Sequence, residues 1–213
     1  MKVFLIFLLL AAFGSTGAQK IGEMAPEKEP ELFPANSWGV DLIFSEGGFG
    51  LGTIYRRSFN QNISGFVDFS ISETKDDREI NYIDYWGNSF TPNKVNRALL
   101  LPLNFGIQYR VFSESLTENL RPFVTFGVGP TILLTTPYEK EFFESFGSAK
   151  ANYAVGGYIG FGALMGLSKS NLIGLNVRYY YTRLLGDGVE IMTNSYKKEF
   201  GQFCLMLTIG IMY

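Results

Sequence analysis

From residue 37 onward, apolar and polar side chains alternate along most of the chain, which is the period of a β-strand whose two faces meet different surroundings. The pattern is clearest in the last eleven residues, Phe203 to Tyr213, where every odd position is apolar or aromatic and the even positions are mixed. Segments of this kind, separated by turn or loop residues, predict eight strands at about 37–45, 49–58, 63–72, 97–112, 121–135, 152–167, 172–184 and 203–213.

The last strand of this series indicates how the sheet is arranged. A strand edge with an apolar face pairs with other chains unless a neighbouring strand covers it. We therefore expect the strand that ends at Tyr213 to close against another strand. The prediction is an all-β fold, an eight-stranded antiparallel up-and-down transmembrane β-barrel at 37–213.

The two faces of the strands indicate which side of the barrel is outside. A soluble lipocalin-like barrel places its apolar residues inside, whereas a membrane barrel places them outside against lipid. The apolar faces here are long and uniform, and in the fourth and eighth strands they carry no charge. The opposite faces carry glycine and the residues of a candidate polar network in the lumen: Asp41, Arg56, Asp68, Asn104, Gln108, Arg110 and Arg178. We therefore predict that the apolar faces point outward.

Aromatic residues and loop lengths agree with a barrel whose two ends both lie on the periplasmic side. That topology places one group at the periplasmic rim: Trp38, Tyr55, Tyr109 and Tyr213. It places a second group at the outer rim: Phe49, Tyr153 and Tyr181. Aromatic girdles at both interfaces are typical of membrane barrels. The three longest connections, about 73–96, 136–151 and 185–198, then all lie outside.

The segment before the barrel has the features of an export signal. A positive start at Lys2, an apolar run over 3–13 and small residues up to Ala18 predict a signal peptide at 1–18. Residues 19–36 are rich in proline and glutamate, and they predict an extended periplasmic leader. No later segment has the 18–20 uninterrupted apolar residues of a transmembrane helix.

The predicted strands contain the stretches LPLNFGIQYR at 101–110, RPFVTFGVG at 121–129 and GGYIGFG at 156–162. These stretches resemble the OmpA-like/OmpX-like family of bacterial outer-membrane β-barrel domains. The resemblance implies a location in the bacterial outer membrane, with membrane lipid and lipopolysaccharide as partners. It also implies that the outer-membrane assembly machinery reads the C-terminal strand ending at Tyr213. We expect a monomer.

The amino-acid composition excludes or argues against several classes of function. The chain has no histidine, so the Ser-His and Asp-His arrangements of barrel-borne hydrolases are excluded. The single cysteine, Cys204, excludes an internal disulfide, and neither a metal site nor a cofactor is expected. A net charge of -2 without a basic cluster argues against a nucleic-acid partner. Hydrophobic residues make up 46% of the chain and charged residues 18%, which suits a wall that faces lipid.

Two interpretations of the lumen stay open. Its charges either pair and plug an interior that eight strands leave just wide enough for side chains, or line a narrow conduit. The conduit is favoured by small inward residues in the sixth strand: Gly156, Gly160, Gly162 and Gly166. The expected function is thus a non-enzymatic role in envelope integrity or surface interaction. The alternative is a porin-like channel for small or hydrophobic solutes.

The outer loops carry a second set of candidate residues, which are aromatic: Tyr82, Tyr85, Trp86, Phe90, Phe142, Phe143 and Phe146. These rings either pack on each other and rest at the lipid headgroups, or form a recognition surface.

Overall fold

The computed structural model describes residues 34–213 apart from 81, 88, 114–115, 117–118 and 167–169. The predicted signal peptide at 1–18 and residues 19–33 of the predicted leader lie outside the described residues. The strands are β1 Asn36–Ser45, β2 Gly48–Ser58, β3 Ile63–Thr74, β4 Tyr82–Ile83, β5 Ser89–Phe90, β6 Asn96–Arg110, β7 Leu120–Pro137, β8 Lys150–Gly166, β9 Asn171–Leu184, β10 Val189–Met192, β11 Ser195–Lys197 and β12 Glu199–Met212. One helical turn, α1 Phe142–Ser145, is followed by a 3-10 turn at Phe146–Ser148. Within the described part of the chain, no helix is long and apolar enough to cross a membrane.

Eight of these strands form one closed antiparallel barrel in the order β1-β12-β9-β8-β7-β6-β3-β2. The residue pairs can be followed once around the barrel, starting from Tyr181 of β9, and they lead back to β9 at Asn171. The barrel therefore has a stagger of ten residues. Such a stagger is what tilts the strands of a closed barrel against its axis. The predicted eight-stranded antiparallel barrel is confirmed.

The strand bounds differ from the prediction by four residues at the start of β12 and by no more than two residues elsewhere. β3 continues to Thr74, because Glu73 and Thr74 still pair with β6. β6 ends at Arg110 rather than at 112, and Phe112 has φ 57°, a left-handed backbone that cannot continue a strand. β12 begins at Glu199, where polar and glycine residues on the outward face hide the alternation. The predicted loop at 73–96 also contains the small hairpin of β4 and β5.

Burial along each strand alternates as the prediction of outward apolar faces requires. In β6, the outward side chain of Phe105 is 51% exposed, whereas the inward side chain of Asn104 next to it is fully buried. The same contrast separates Leu205 from Cys204 in β12. The apolar face is therefore the outside of the barrel, the reverse of a soluble lipocalin-like barrel.

The interior is filled in three apolar layers along the barrel axis. We call the end that carries Asn36 and Tyr213 the terminal end, and the opposite end the loop end. The layer at the terminal end contains Phe123, Leu164, Leu172 and Met212. The central layer contains Ile43, Ile54, Phe66, Tyr158, Tyr180, Cys204 and Met206. The layer at the loop end contains Ala98, Leu100, Leu133, Ala154, Leu184, Val189, Ile191 and Phe200.

Two glycines allow large rings to cross the central layer. A Cβ atom at Gly106 would collide with the Phe66 ring and the Phe126 carbonyl. A Cβ atom at Gly127 would lie 2.7 Å from Cε1 of Tyr158. Glycine at these positions leaves space for the rings of Phe66 and Tyr158 to stack, with their centroids 6.1 Å apart.

Candidate functional site

The carboxylate of Asp68 on β3 lies at the centre of a buried polar cluster, the lumen network. It accepts hydrogen bonds from Nδ2 of Asn104 at 2.8 Å, from the Tyr158 hydroxyl at 2.7 Å and from Nη1 of Arg178 at 3.0 Å. These donors come from β6, β8 and β9. The network therefore joins strands from opposite sides of the barrel across the lumen.

Arg178 is held in place by hydrogen bonds at two of its guanidinium nitrogens and by an aromatic ring against the group. Its Nε donates to Oδ1 of Asn176 at 3.0 Å, and its Nη1 also donates to the Tyr180 hydroxyl at 2.9 Å. Its Cζ lies 4.2 Å from the centroid of the Tyr158 ring, within cation–π distance. Arg178 and Asp68 are both almost fully buried, so each charge depends on the other for compensation.

The structure does not bring all of the predicted lumen residues into one network. Asp41 accepts a hydrogen bond from the Thr208 hydroxyl, and Gln108 is buried in the lumen. Arg56 is buried, and none of its guanidinium nitrogens has a hydrogen-bond partner among the described residues. Arg110 does not join the lumen network, because its Nη2 donates to the Leu116 carbonyl at the terminal end, at 2.6 Å.

Three polar members of this interior were not among the predicted lumen residues: Tyr158, Tyr180 and Thr208. A signal for them was present in the sequence. Tyr158 shares its strand face with Gly156 and Gly160, and Tyr180 shares its face with Arg178. Because side chains on one face of a strand point the same way, both phenols were already assigned to the lumen by their positions.

The inward glycines of β8 do not leave an open passage beside that strand. A Cβ atom at Gly156 would lie 2.7 Å from Oγ1 of Thr182, and one at Gly160 would lie 2.7 Å from the Val177 carbonyl oxygen. At Gly162 it would collide with Asn176. Neighbouring strands therefore already occupy the space that these glycines leave.

The loop end is closed by a structure that we call the outer cap, made of residues 76–79, 93–96 and the β10–β11 hairpin. Backbone hydrogen bonds join the hairpin to the chain before β6, from the Val95 N–H to the Ile191 carbonyl at 2.8 Å and from the Thr193 N–H to the Asn93 carbonyl at 2.9 Å. Val189 and Ile191 of this hairpin are part of the apolar layer below it. The hairpin thus packs onto the mouth of the barrel.

A buried ion pair strengthens the outer cap. Nζ of Lys94 lies 2.7 Å from Oε2 of Glu79, and both side chains are almost fully buried. The Ser195 hydroxyl donates to Oδ2 of Asp76 at 3.3 Å and accepts from Nη2 of Arg78 at 2.8 Å. These contacts tie the chain after β3 to the β10–β11 hairpin over the mouth.

The loop aromatic residues form local clusters with several rings left in the open. The rings of Tyr85 and Trp86 meet edge to face at 5.6 Å, and the Phe142 ring meets those of Phe143 and Phe146 at 5.4 and 5.2 Å. Tyr82 and Phe90 are paired across the β4–β5 hairpin, 6.1 Å apart. Despite these contacts, Tyr85 is 95% exposed, Trp86 83% and Phe143 86%.

No family model matches the chain, and no curated protein sequence matches it. Its fold is similar to that of Neisserial surface protein A, with a TM-score of 0.51 and 10% identity over 84% of this chain and 96% of that chain. The chain has the fold of a small outer-membrane β-barrel. This likeness concerns the fold alone, and at that level the resemblance to OmpA-like/OmpX-like barrels is confirmed.

Two further solved structures are similar over almost their whole length. The N-terminal β-barrel domain of Pseudomonas aeruginosa OprF is 13% identical, with a TM-score of 0.47 over 84% of this chain and 99% of that chain. Ail, the attachment invasion locus protein of Yersinia pestis, is 12% identical, with a TM-score of 0.45 over 85% of this chain and 100% of that chain.

Proposed function

We propose that this protein is a non-enzymatic barrel of the bacterial outer membrane whose role in envelope integrity or surface interaction is carried by its loop end. The observation that supports this most strongly is a contrast between its two candidate sites. The lumen is filled and capped, whereas the loop end presents exposed aromatic rings.

The outward face supports the membrane location. Phe49, Tyr153 and Tyr181 are exposed toward the loop end, and Trp38 and Tyr213 are exposed at the terminal end. Aliphatic and phenylalanine side chains occupy the exposed wall between these rings. A band of apolar side chains between two aromatic girdles fits a bilayer and its two interfaces.

The lumen offers little space to a solute. One internal cavity, lined in part by Ser70, Tyr180 and Gln202, has a volume of about 10 Å³. That is about the volume that a single water molecule needs. Above it the outer cap covers the mouth, and beside it the Arg178–Asp68 ion pair spans the interior. These contacts support a structural role for the lumen residues.

The loop end has the chemistry of a contact surface. Tyr85 and Trp86 lie at the tip of the β4–β5 hairpin, and Phe143 lies on α1. Large aromatic side chains contribute most of the binding energy at many protein interfaces, and they also favour the headgroup region of membranes. Loops on a rigid barrel are a common location for recognition.

A narrow channel is the second candidate, and one observation favours it. A buried guanidinium without a hydrogen-bond partner, as at Arg56, is costly unless water or an anion reaches it. Access of water or an anion to Arg56 would require a hydrated path through the lumen.

The two candidates predict opposite results when variants are returned to cells that lack the protein. We expect a loop variant with Tyr85→Ser, Trp86→Ser and Phe143→Ser to fold with its unfolding free energy changed by less than about 0.5 kcal/mol per site, because these side chains are exposed. It should nevertheless fail to restore resistance to detergent and to a hydrophobic dye. The lumen variant Arg56→Gln should restore resistance fully.

The reverse pattern would contradict the proposal. Full function of the loop variant together with loss of function in Arg56→Gln would assign the activity to the lumen and favour the channel.

A further inference from the structure

The outward wall of the barrel contains a depression, the lateral groove, between β7, β8 and β9. It has a volume of about 770 Å³, and its walls are the outward side chains of Phe126, Val128, Val155, Ile159, Tyr179 and Tyr181. Its volume lies within the range of about 300–1,000 Å³ that is typical of small-molecule sites.

The groove exists because a glycine faces outward in the middle of a bulky wall. Gly157 pairs with Val128 on one side and with Tyr181 on the other. Exposed residues flank it along β8, Val155 before it and Ile159 after it. The missing side chain at Gly157 therefore leaves a gap between larger neighbours.

The loop end of the groove is positively charged. Arg183 and Lys198 both border it. Glu199 offsets part of this charge, since its Oε1 lies 3.7 Å from Nε of Arg183 in an exposed ion pair. A backbone hydrogen bond from the Leu184 N–H to the Lys198 carbonyl, at 2.8 Å, fixes this edge. Two cations against one carboxylate leave the edge with a net positive charge.

We propose that the lateral groove binds lipid A, the phosphorylated and multiply acylated anchor of lipopolysaccharide. One acyl chain would lie in the groove over Gly157, and a phosphate would lie against Lys198 and Arg183. The assignment rests on the proposed outer-membrane location, which puts the loop end in the outer leaflet. A cation near an anionic lipid surface contributes to binding, and guanidinium and ammonium groups pair well with phosphate.

The proposal is tested by lipid retention on the purified barrel, measured by native mass spectrometry. The probes are bis-phosphorylated lipid A, dephosphorylated lipid A and phosphatidylglycerol. We expect one bis-phosphorylated lipid A per barrel, with weaker retention of the other two. Arg183→Gln and Lys198→Gln should each weaken lipid A binding about fivefold, the effect of about one charge at a membrane surface. Glu199→Gln should strengthen it.

Matched variants separate the groove from the rest of the wall. Val128→Trp should place an indole over Gly157 and displace the acyl chain, whereas Val124→Trp on the same strand face lies outside the groove lining. Arg57→Gln is the charge control, because Arg57 is exposed near the terminal end. Neither control should change lipid A retention.

The outcomes also separate this inference from the proposed function. Equal retention of phosphatidylglycerol and lipid A, or no effect of Val128→Trp and Lys198→Gln, would overturn the lipid A site. The proposed membrane location has a separate test, in which the parent protein is folded in vesicles and run on a gel without boiling. The absence of a folded band on that gel would contradict the membrane location.

Discussion

Replacing Asp68 by asparagine is expected to lower the free energy of unfolding by about 3–5 kcal/mol, the usual effect of removing one partner of a buried ion pair. The substitution keeps the size of the side chain but removes the ion-pair partner of the Arg178 guanidinium. It also weakens the acceptor for the Tyr158 hydroxyl. Urea unfolding of the barrel in lipid vesicles measures the change.

A second substitution distinguishes loss of charge balance from loss of packing. Arg178→Met removes the cation with little change in volume, and the double variant Asp68→Asn/Arg178→Met buries no net charge. We expect the double variant to recover roughly half or more of the stability lost in Asp68→Asn, because contacting residues couple strongly. If the losses of unfolding free energy in Asp68→Asn and Arg178→Met simply add in the double variant, the pair does not act as a unit.

Replacing Phe105 by arginine is expected to lower the free energy of unfolding by about 2–4 kcal/mol, the cost of a cation near the middle of a membrane barrel wall. Phe105 is on the outward face of β6, between the aromatic residues of the two rims. No acidic partner is available to a cation in hydrocarbon. Folding titrations in vesicles of defined lipid give the value.

Tyr109→Arg provides the matched control for depth. Tyr109 is on the same strand and face as Phe105, is similarly exposed, and lies four residues closer to the terminal end. At an interface the same cation costs only about 0–1 kcal/mol. Phe105→Leu controls for the loss of the ring. Equal losses of unfolding free energy in Phe105→Arg and Tyr109→Arg would contradict the placement of the bilayer around this wall.

The fold could be predicted from the sequence because a two-residue period survives in every barrel strand. In β6 and β12, alternation alone separated Phe105 from Asn104 and Leu205 from Cys204, and the structure places them on opposite sides of the wall. The ends of strands were less predictable. Their limits depend on backbone conformation, as at Phe112, or on pairing of polar residues, as at Glu199.

The candidate site was less predictable, because a strand face gives the direction of a side chain but not its height or its partner. Asp68 and Arg178 meet across the lumen, whereas Arg110, on an equally polar face, turns to the Leu116 carbonyl. The outer cap gave no periodic signal, since the Lys94–Glu79 pair joins two irregular segments. The lateral groove depends on Gly157 lying between particular residues of two neighbouring strands, which only the register of the barrel fixes.

The most direct test of a closed lumen is the electrical conductance of the purified protein in a planar lipid bilayer. Because the ion pair of Asp68 and Arg178, three apolar layers and the outer cap fill the lumen, we expect no stable unitary conductance. A stable unitary conductance in the parent protein that changes with Arg56→Gln would contradict the closed lumen and assign the protein to the channels.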